Sequence, residues 1–113
     1  MLQRIGDRPT GTTIANGANV AIEIEGARGF AWVEGAIGAD EALSIAYQVL
    51  KTGTSPDTDA NWLTLDTPLA LLADTARAFV FRSTGQQARV LVSNSSGSTA
   101  TLSTFEVNGR PAV

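Results

Sequence analysis

The sequence predicts an all-β fold: two antiparallel sheets packed as a β-sandwich, with six to eight strands. Three observations carry this. Apolar and polar residues alternate in several segments, above all Leu43-Ser-Ile-Ala-Tyr-Gln-Val-Leu50, with the period of a half-buried strand. Turn-forming residues recur about every ten positions, the spacing of short strands joined by tight connections. The composition, 11 Gly and only 17% charged residues in 113, suits a sandwich better than a helical bundle. A jelly roll or a small β-barrel is the alternative architecture. A chain of this length supports one core, so the expected organisation is an N-terminal arm over residues 1–18 and a single domain over 19–113.

Residues 1–18 are rich in Gly, Thr and Asn, with Arg8-Pro9 and Asn16-Gly17 marking bends. At most one short strand is expected there, around Thr12 to Ala15. Leu2 and Ile5 are out of place on a solvated tail, which makes them candidates for contact with a neighbouring subunit. From Asn19 to Glu25 the pattern is regular: Val20, Ile22 and Ile24 inward, Ala21, Glu23 and Glu25 outward. Gly26-Ala-Arg-Gly29 then reads as a turn and Phe30-Ala-Trp-Val-Glu34 as a second strand, the two forming a hairpin. Gly35 to Ala42 reads as the next loop.

The segment Leu43 to Leu65 is the clearest hairpin. Leu43, Ile45, Tyr47 and Val49 share one strand face, Lys51 to Ala60 is a long polar loop, and Asn61-Trp-Leu-Thr-Leu65 returns to strand-forming residues. Between Asp66 and Ala76 a helical turn competes, because Pro68 fits a first helical position and three leucines follow it. An irregular or short-strand connection is expected. Arg77 to Arg82 places Phe79 and Phe81 on one face, and Ala88 to Asn94 places Val90 and Val92 opposite Arg89 and Leu91. Asn94-Ser-Ser-Gly-Ser98 reads as a hairpin loop. In the last strand, Thr99 to Val107, the alternation shifts between Leu102 and Phe105, which signals a bulge or a strand covered on both faces. Asn108-Gly109 reads as a turn before an extended tail.

Composition also bounds function. The net charge is -3 with a pI near 4.7, and the eight basic residues are scattered, so no patch would neutralise several phosphates together and nucleic-acid binding is not expected. With no Cys and no His, thiolate and imidazole catalysis and the usual zinc ligand sets are excluded. No apolar run is long enough to span a membrane and no signal peptide is evident, so the chain is expected to be made in a cytoplasm and, if exported, not by a visible signal.

Asp57-Thr-Asp-Ala-Asn61 places oxygen ligands at alternate positions like a calcium loop, but Trp62 stands where that loop needs glycine and Pro68 where it needs glutamate. Solvated turns explain it better, and no metal or cofactor is expected. Glu23 and Glu25 lie roughly 7 Å apart on one strand face. Nothing separates their pKa values as paired catalytic carboxylates require. Asn94-Ser-Ser96 matches a glycosylation sequon that, without a secretory signal, reads as loop composition. No hydroxyl has an evident base, so the sequence predicts no enzyme. Trp62, beside the polar loop, is the aromatic residue expected to be partly exposed. Leu2, Ile5, Asp57, Asp59, Asn61 and Trp62 are thus the candidate interaction residues.

The order of these segments resembles small β-sandwich structural proteins of tailed-phage virions: a Glu-bearing strand, a Gly turn, a Phe-x-Trp strand, a long alternating strand, then Ser55-Pro-Asp-Thr-Asp-Ala-Asn-Trp-Leu-Thr-Leu65 and Ala88-Arg-Val-Leu-Val-Ser93. Such proteins often carry Ser-x-Asp-Gly-x-x-Trp-x-x-Leu; here Asp57-Thr-Asp59 replaces the Asp-Gly pair. The resemblance implies a capsid-decoration, head-fibre or tail-associated subunit of a virion. It would act by assembly with itself and other virion proteins. The competing expectation is a carbohydrate-binding or adhesion module, with glycans bound at Trp62 and the Lys51 to Ala60 loop.

Overall fold

The computed structural model describes residues 2–25, 29–84 and 86–111. They form a two-sheet antiparallel β-sandwich. Nine strands are described: β1 (Gln3–Arg8), β2 (Thr13–Ile14), β3 (Asn19–Ile24), β4 (Phe30–Ala39), β5 (Leu43–Leu50), β6 (Trp62–Leu71), β7 (Thr75–Arg82), β8 (Ala88–Ser93) and β9 (Ala100–Pro111). One sheet runs β1-β9-β4-β7, with β2 also paired to β9; the other runs β3-β8-β5-β6. Among the described residues no helix is long and apolar enough to cross a membrane.

The alternation seen in the sequence is the burial pattern of the core. Leu43, Ile45, Tyr47 and Val49 of β5 and Val90 and Val92 of β8 face Val33 and Ile37 of β4, Phe79 and Phe81 of β7, and Leu102, Phe105 and Val107 of β9. Tyr47 spans the gap between the sheets, its ring stacked on Phe81 with centroids 5.2 Å apart. In β9 the register against β4 slips between Gly38↔Thr104 and Ala39↔Leu102. The expected bulge is therefore present, and it keeps Leu102 and Phe105 on the same buried face.

Which strands pair differs from expectation at two places. β3 does not form a hairpin with β4; it pairs with β8 in the opposite sheet. The Gly26-Ala-Arg-Gly29 turn falls largely outside the described residues. Likewise β8 and β9 belong to different sheets, so the Asn94 to Ser98 segment is a crossing between sheets. Asn94 makes that crossing possible: it is 1% exposed, and its Nδ2 donates to the Ile14 and Ser98 carbonyls at 2.8 and 2.7 Å while its Oδ1 accepts from Ser96. The sequon asparagine is a buried structural pivot. β5 and β6 are the only consecutive described strands that pair with each other.

Several glycines read as turns lie inside strands. Gly35 and Gly38 belong to the ten-residue β4, and Asn108-Gly109 lies within β9. A Cβ at Gly35 would stand 2.0 Å from the Glu106 carbonyl oxygen, and one at Gly109 would stand 2.4 Å from the Phe30 ring. These positions are kept small for close approach. The segment after Leu65 is also strand: β6 continues to Leu71. It carries a bulge where Ile45↔Leu69 and Tyr47↔Leu65 are the flanking pairs, with Asp66 in the left-handed region at φ 62°.

The N-terminal segment contains two strands where at most one was expected. β1 pairs with β9 from Gln3↔Gly109 to Arg8↔Phe105, and β2 continues along the same strand at Thr13↔Thr101. Between them, Gly11 N–H donates to the Leu102 carbonyl and Leu102 N–H to the Thr12 carbonyl, each at 2.8 Å. Residues 3–14 thus run along β9 of their own chain.

Candidate interaction surface

The Lys51 to Ala60 loop is folded back on itself. Lys51 N–H donates to the Asn61 carbonyl at 2.9 Å, Thr54 Oγ1 donates to the Lys51 carbonyl at 2.6 Å, and Asn61 Nδ2 donates to the Ser55 carbonyl at 3.0 Å. A single 3₁₀ turn, Asp59–Asn61, closes it. Trp62, expected to be partly exposed, is only 5% exposed. Its Nε1–H donates to the Pro56 carbonyl at 2.9 Å, and the Arg89 guanidinium lies 4.4 Å above the ring centroid. Arg89 in turn donates from Nε to Gln48 Oε1 at 2.7 Å and reaches Asp59 Oδ1 at 3.6 Å.

Trp62 is therefore the centre of a small cluster separate from the core between the sheets. The cluster has a local cause. Gln48 and Arg89 are register partners on β5 and β8, so their outward side chains meet beside the end of β6, where the loop folds over them. The ring face that a sugar would need is taken by a cation. Asp57 and Asp59 are exposed, and Asn61 is half-buried and used within the loop. Among the described residues no three acidic side chains converge as metal ligands.

Leu2 and Ile5 separate from this loop and from each other. Ile5 packs against the core edge, whereas Leu2 is 46% exposed and borders a shallow groove of about 280 Å³ on the outer face of the five-stranded sheet. The registers define that face in rows: Val80, Glu34, Asn108 and Arg4 in one; Arg82, Trp32 and Arg110 in the next; Ala78, Ala36 and Glu106 on the other side. Val80 and Trp32 are 57% and 42% exposed. Ala36 and Ala78 between them leave the floor low.

Charge frames this apolar strip. Arg110 Nη2 pairs with Glu34 at 2.8 Å, and its pKa is raised by the hydrogen bond to Glu34 and by that carboxylate's charge. Arg4 pairs with Asp7 and Glu106 at 3.0 Å each. These pairs leave Trp32, Ala36, Ala78 and Val80 as the apolar part of the face, with Arg82 at its border.

Trp32 and Val80 were not singled out from the sequence, although the signal was present. Trp32 shares strand parity with Glu34, and Val80 is opposed to Phe79 and Phe81, so the pattern points both outward. A larger groove of about 540 Å³ lies at one end of the sandwich, lined by Thr10, Asp40, Asp74, Thr101 and Ser103 among others. Its Asp40 carboxylate is already engaged, accepting the Thr101 N–H at 2.7 Å. Searches against protein-family models and against curated proteins give no match for this chain.

Proposed function

We propose that this chain is a structural subunit of a phage-type virion, a capsid-decoration, head-fibre or tail-associated protein that acts by protein–protein assembly. The observation that carries the reading is the outer face of the five-stranded sheet. There Trp32, Val80 and Leu2 stand exposed around a floor of alanines, bordered by the paired charges of Arg4, Glu106, Glu34 and Arg110. An aromatic anchor with aliphatic neighbours and a charged rim is the composition of a protein-binding surface. The order of segments shared with virion β-sandwich proteins points the same way. The occupant is a neighbouring virion protein.

The test is quantitative mass spectrometry of purified particles from the virus or prophage that encodes the chain. The chain is expected as a fixed number of copies per particle, and the Val80→Lys variant is expected to be incorporated at least about tenfold less, since a buried unpaired charge at such a contact costs more than 1.4 kcal/mol. Absence of the chain from particles would overturn the reading. Binding to a glycan array that is lost in Trp32→Ala would assign the chain to the adhesion class instead.

A further inference from the structure

Among the described strands, four lie at sheet edges: β1 and β7 in one sheet, β3 and β6 in the other. An open edge invites pairing with another chain, and proteins that keep edges unpaired guard them with bulges, prolines or charges. Three of the four are guarded. β1 slips register between Arg4 and Gly6 and carries the Arg4 ion pairs. β6 is broken by its bulge, with Asp66 at φ 62° and Pro68, which has no N–H to offer. On β3 the Ala21 carbonyl is taken by the Arg8 guanidinium, and Glu23 lies exposed near the strand's middle.

β7 is the least guarded of the four: it has no bulge and no proline, and its charges are Arg77 and Arg82. Its register against β4 is unbroken from Trp32↔Arg82 to Ala39↔Thr75, and Thr-Ala-Arg-Ala-Phe-Val-Phe-Arg contains no proline and no acidic residue. Arg77 is turned away to the other sheet, donating to the Ala70 carbonyl at 2.8 Å. Ser83 N–H donates to the Ala31 carbonyl at 3.0 Å. In an antiparallel ladder this direction alternates, so the odd residues of β7 bond toward β4 and Ala76, Ala78, Val80 and Arg82 direct their backbone groups to the open edge.

We propose that β7 pairs with β7 of a second copy of this chain, antiparallel about a two-fold axis at Ala78, joining the two five-stranded sheets into one. This deepens the assembly reading above and rests on it for its biological setting. The choice of a second copy follows from self-complementarity. With Ala78 opposite the partner subunit's Ala78, Val80 lies opposite the partner subunit's Ala76, a large side chain beside a small one. Arg82 comes beside the turn just before the partner strand, where the partner subunit's Asp74 stands exposed, and the two-fold axis brings that pair of opposite charges together twice. Moving the register by two residues sets Arg82 against the partner subunit's Ala76 in one direction and against the partner subunit's Leu72 in the other, and loses both pairs. An isologous contact of this kind closes as a dimer. It leaves the Trp32 and Val80 face continuous across the joint for other virion proteins.

The experiment is sedimentation velocity on the full chain over a range of concentrations, with circular dichroism to confirm the fold of each variant. The wild-type chain sediments as a dimer or a multiple of it. Ala78→Pro removes an N–H that faces away from β4, a position where an edge strand tolerates proline, and is expected to give monomers. Arg82→Glu weakens dimerisation about tenfold, as loss of a complementary interface charge does, and Asp74→Lys combined with Arg82→Glu restores it. If Ala78→Pro fails to fold, the charge swap decides. A wild-type monomer at all concentrations, an oligomer indifferent to these variants, or assembly only with a different protein would overturn the proposal. Particles that contain the chain while its oligomer ignores β7 variants would sink this inference alone; a β7-dependent dimer absent from particles would sink the virion reading alone.

Discussion

Arg89 and Trp62 make a rigid lobe out of a loop that is polar almost throughout. Each fulfils the other's needs: the ring covers one guanidinium face, and Gln48 and Asp59 take its N–H groups. The indole N–H, which would be costly to bury unpaired, ends on the Pro56 carbonyl. Trp62→Ala removes the body around which the loop folds and is expected to cost about 3 kcal/mol, at the lower end of the range for buried Trp truncations because the cluster is small. Urea denaturation should show the midpoint falling with the slope unchanged; an unchanged midpoint would mean that the lobe is held by its own turns.

The expectation that Trp62 would be exposed followed from its place beside a polar loop. Sequence shows that a residue adjoins a loop, but not whether the loop folds over it. Here the lid is set by Arg89, which is 27 positions away in the chain and adjacent only through the pairing of β5 with β8.

At the level of elements, glycine does two unrelated jobs. Gly53 sits at φ 78° with nothing within 4 Å of a Cβ, whereas a Cβ at Gly35 would meet the Glu106 carbonyl oxygen at 2.0 Å and Phe79 at 2.8 Å. The first needs a backbone conformation, the second needs space between adjacent central strands. Gly53→Ala is therefore expected to cost about 1 kcal/mol for the left-handed conformation. Gly35→Ala is expected to cost about 3 kcal/mol, because a backbone atom cannot yield as a side-chain tip can. Equal thermal shifts for the two variants would contradict this division. Read along the chain, both kinds look like turn glycines, which is why Gly35 to Ala42 was expected to be a loop although β4 continues through it.

For the whole sandwich, Tyr47 is the residue that couples the sheets to pH. It is 1% exposed and stacked on Phe81 of the facing sheet. Burial pushes its phenol above the ordinary value of 10.0, and a hydrogen bond with Ser83 offsets part of that rise. The unfolded chain therefore loses this proton first. The stabilisation from the neutral buried phenol is complete below pH 10.0 and is lost as pH rises from there through the raised folded-state value. Denaturant titrations at successive alkaline pH values should show stability falling above about pH 10, and Tyr47→Phe should flatten that fall. Identical alkaline profiles for the two proteins would show that Tyr47 is not the responsible group.

What the sequence determined by itself is the face each strand turns inward. Period-two alternation is a property of the single strand, so Leu43, Ile45, Tyr47, Val49, Val90, Val92, Phe79 and Phe81 were legible as core, as was the shift at Leu102 to Phe105. The β5–β6 hairpin was legible too, because its two strands are neighbours in chain and in sheet. Which strands pair was decided by the tertiary structure. A turn such as Asn94-Ser-Ser-Gly-Ser98 can close a hairpin or carry the chain across the sandwich, and only the fit of ten or more distant inward side chains selects between them. The open edge of β7 and the exposed face around Trp32 have the same origin: both exist because β4 lies between β9 and β7, an arrangement of strands far apart in sequence.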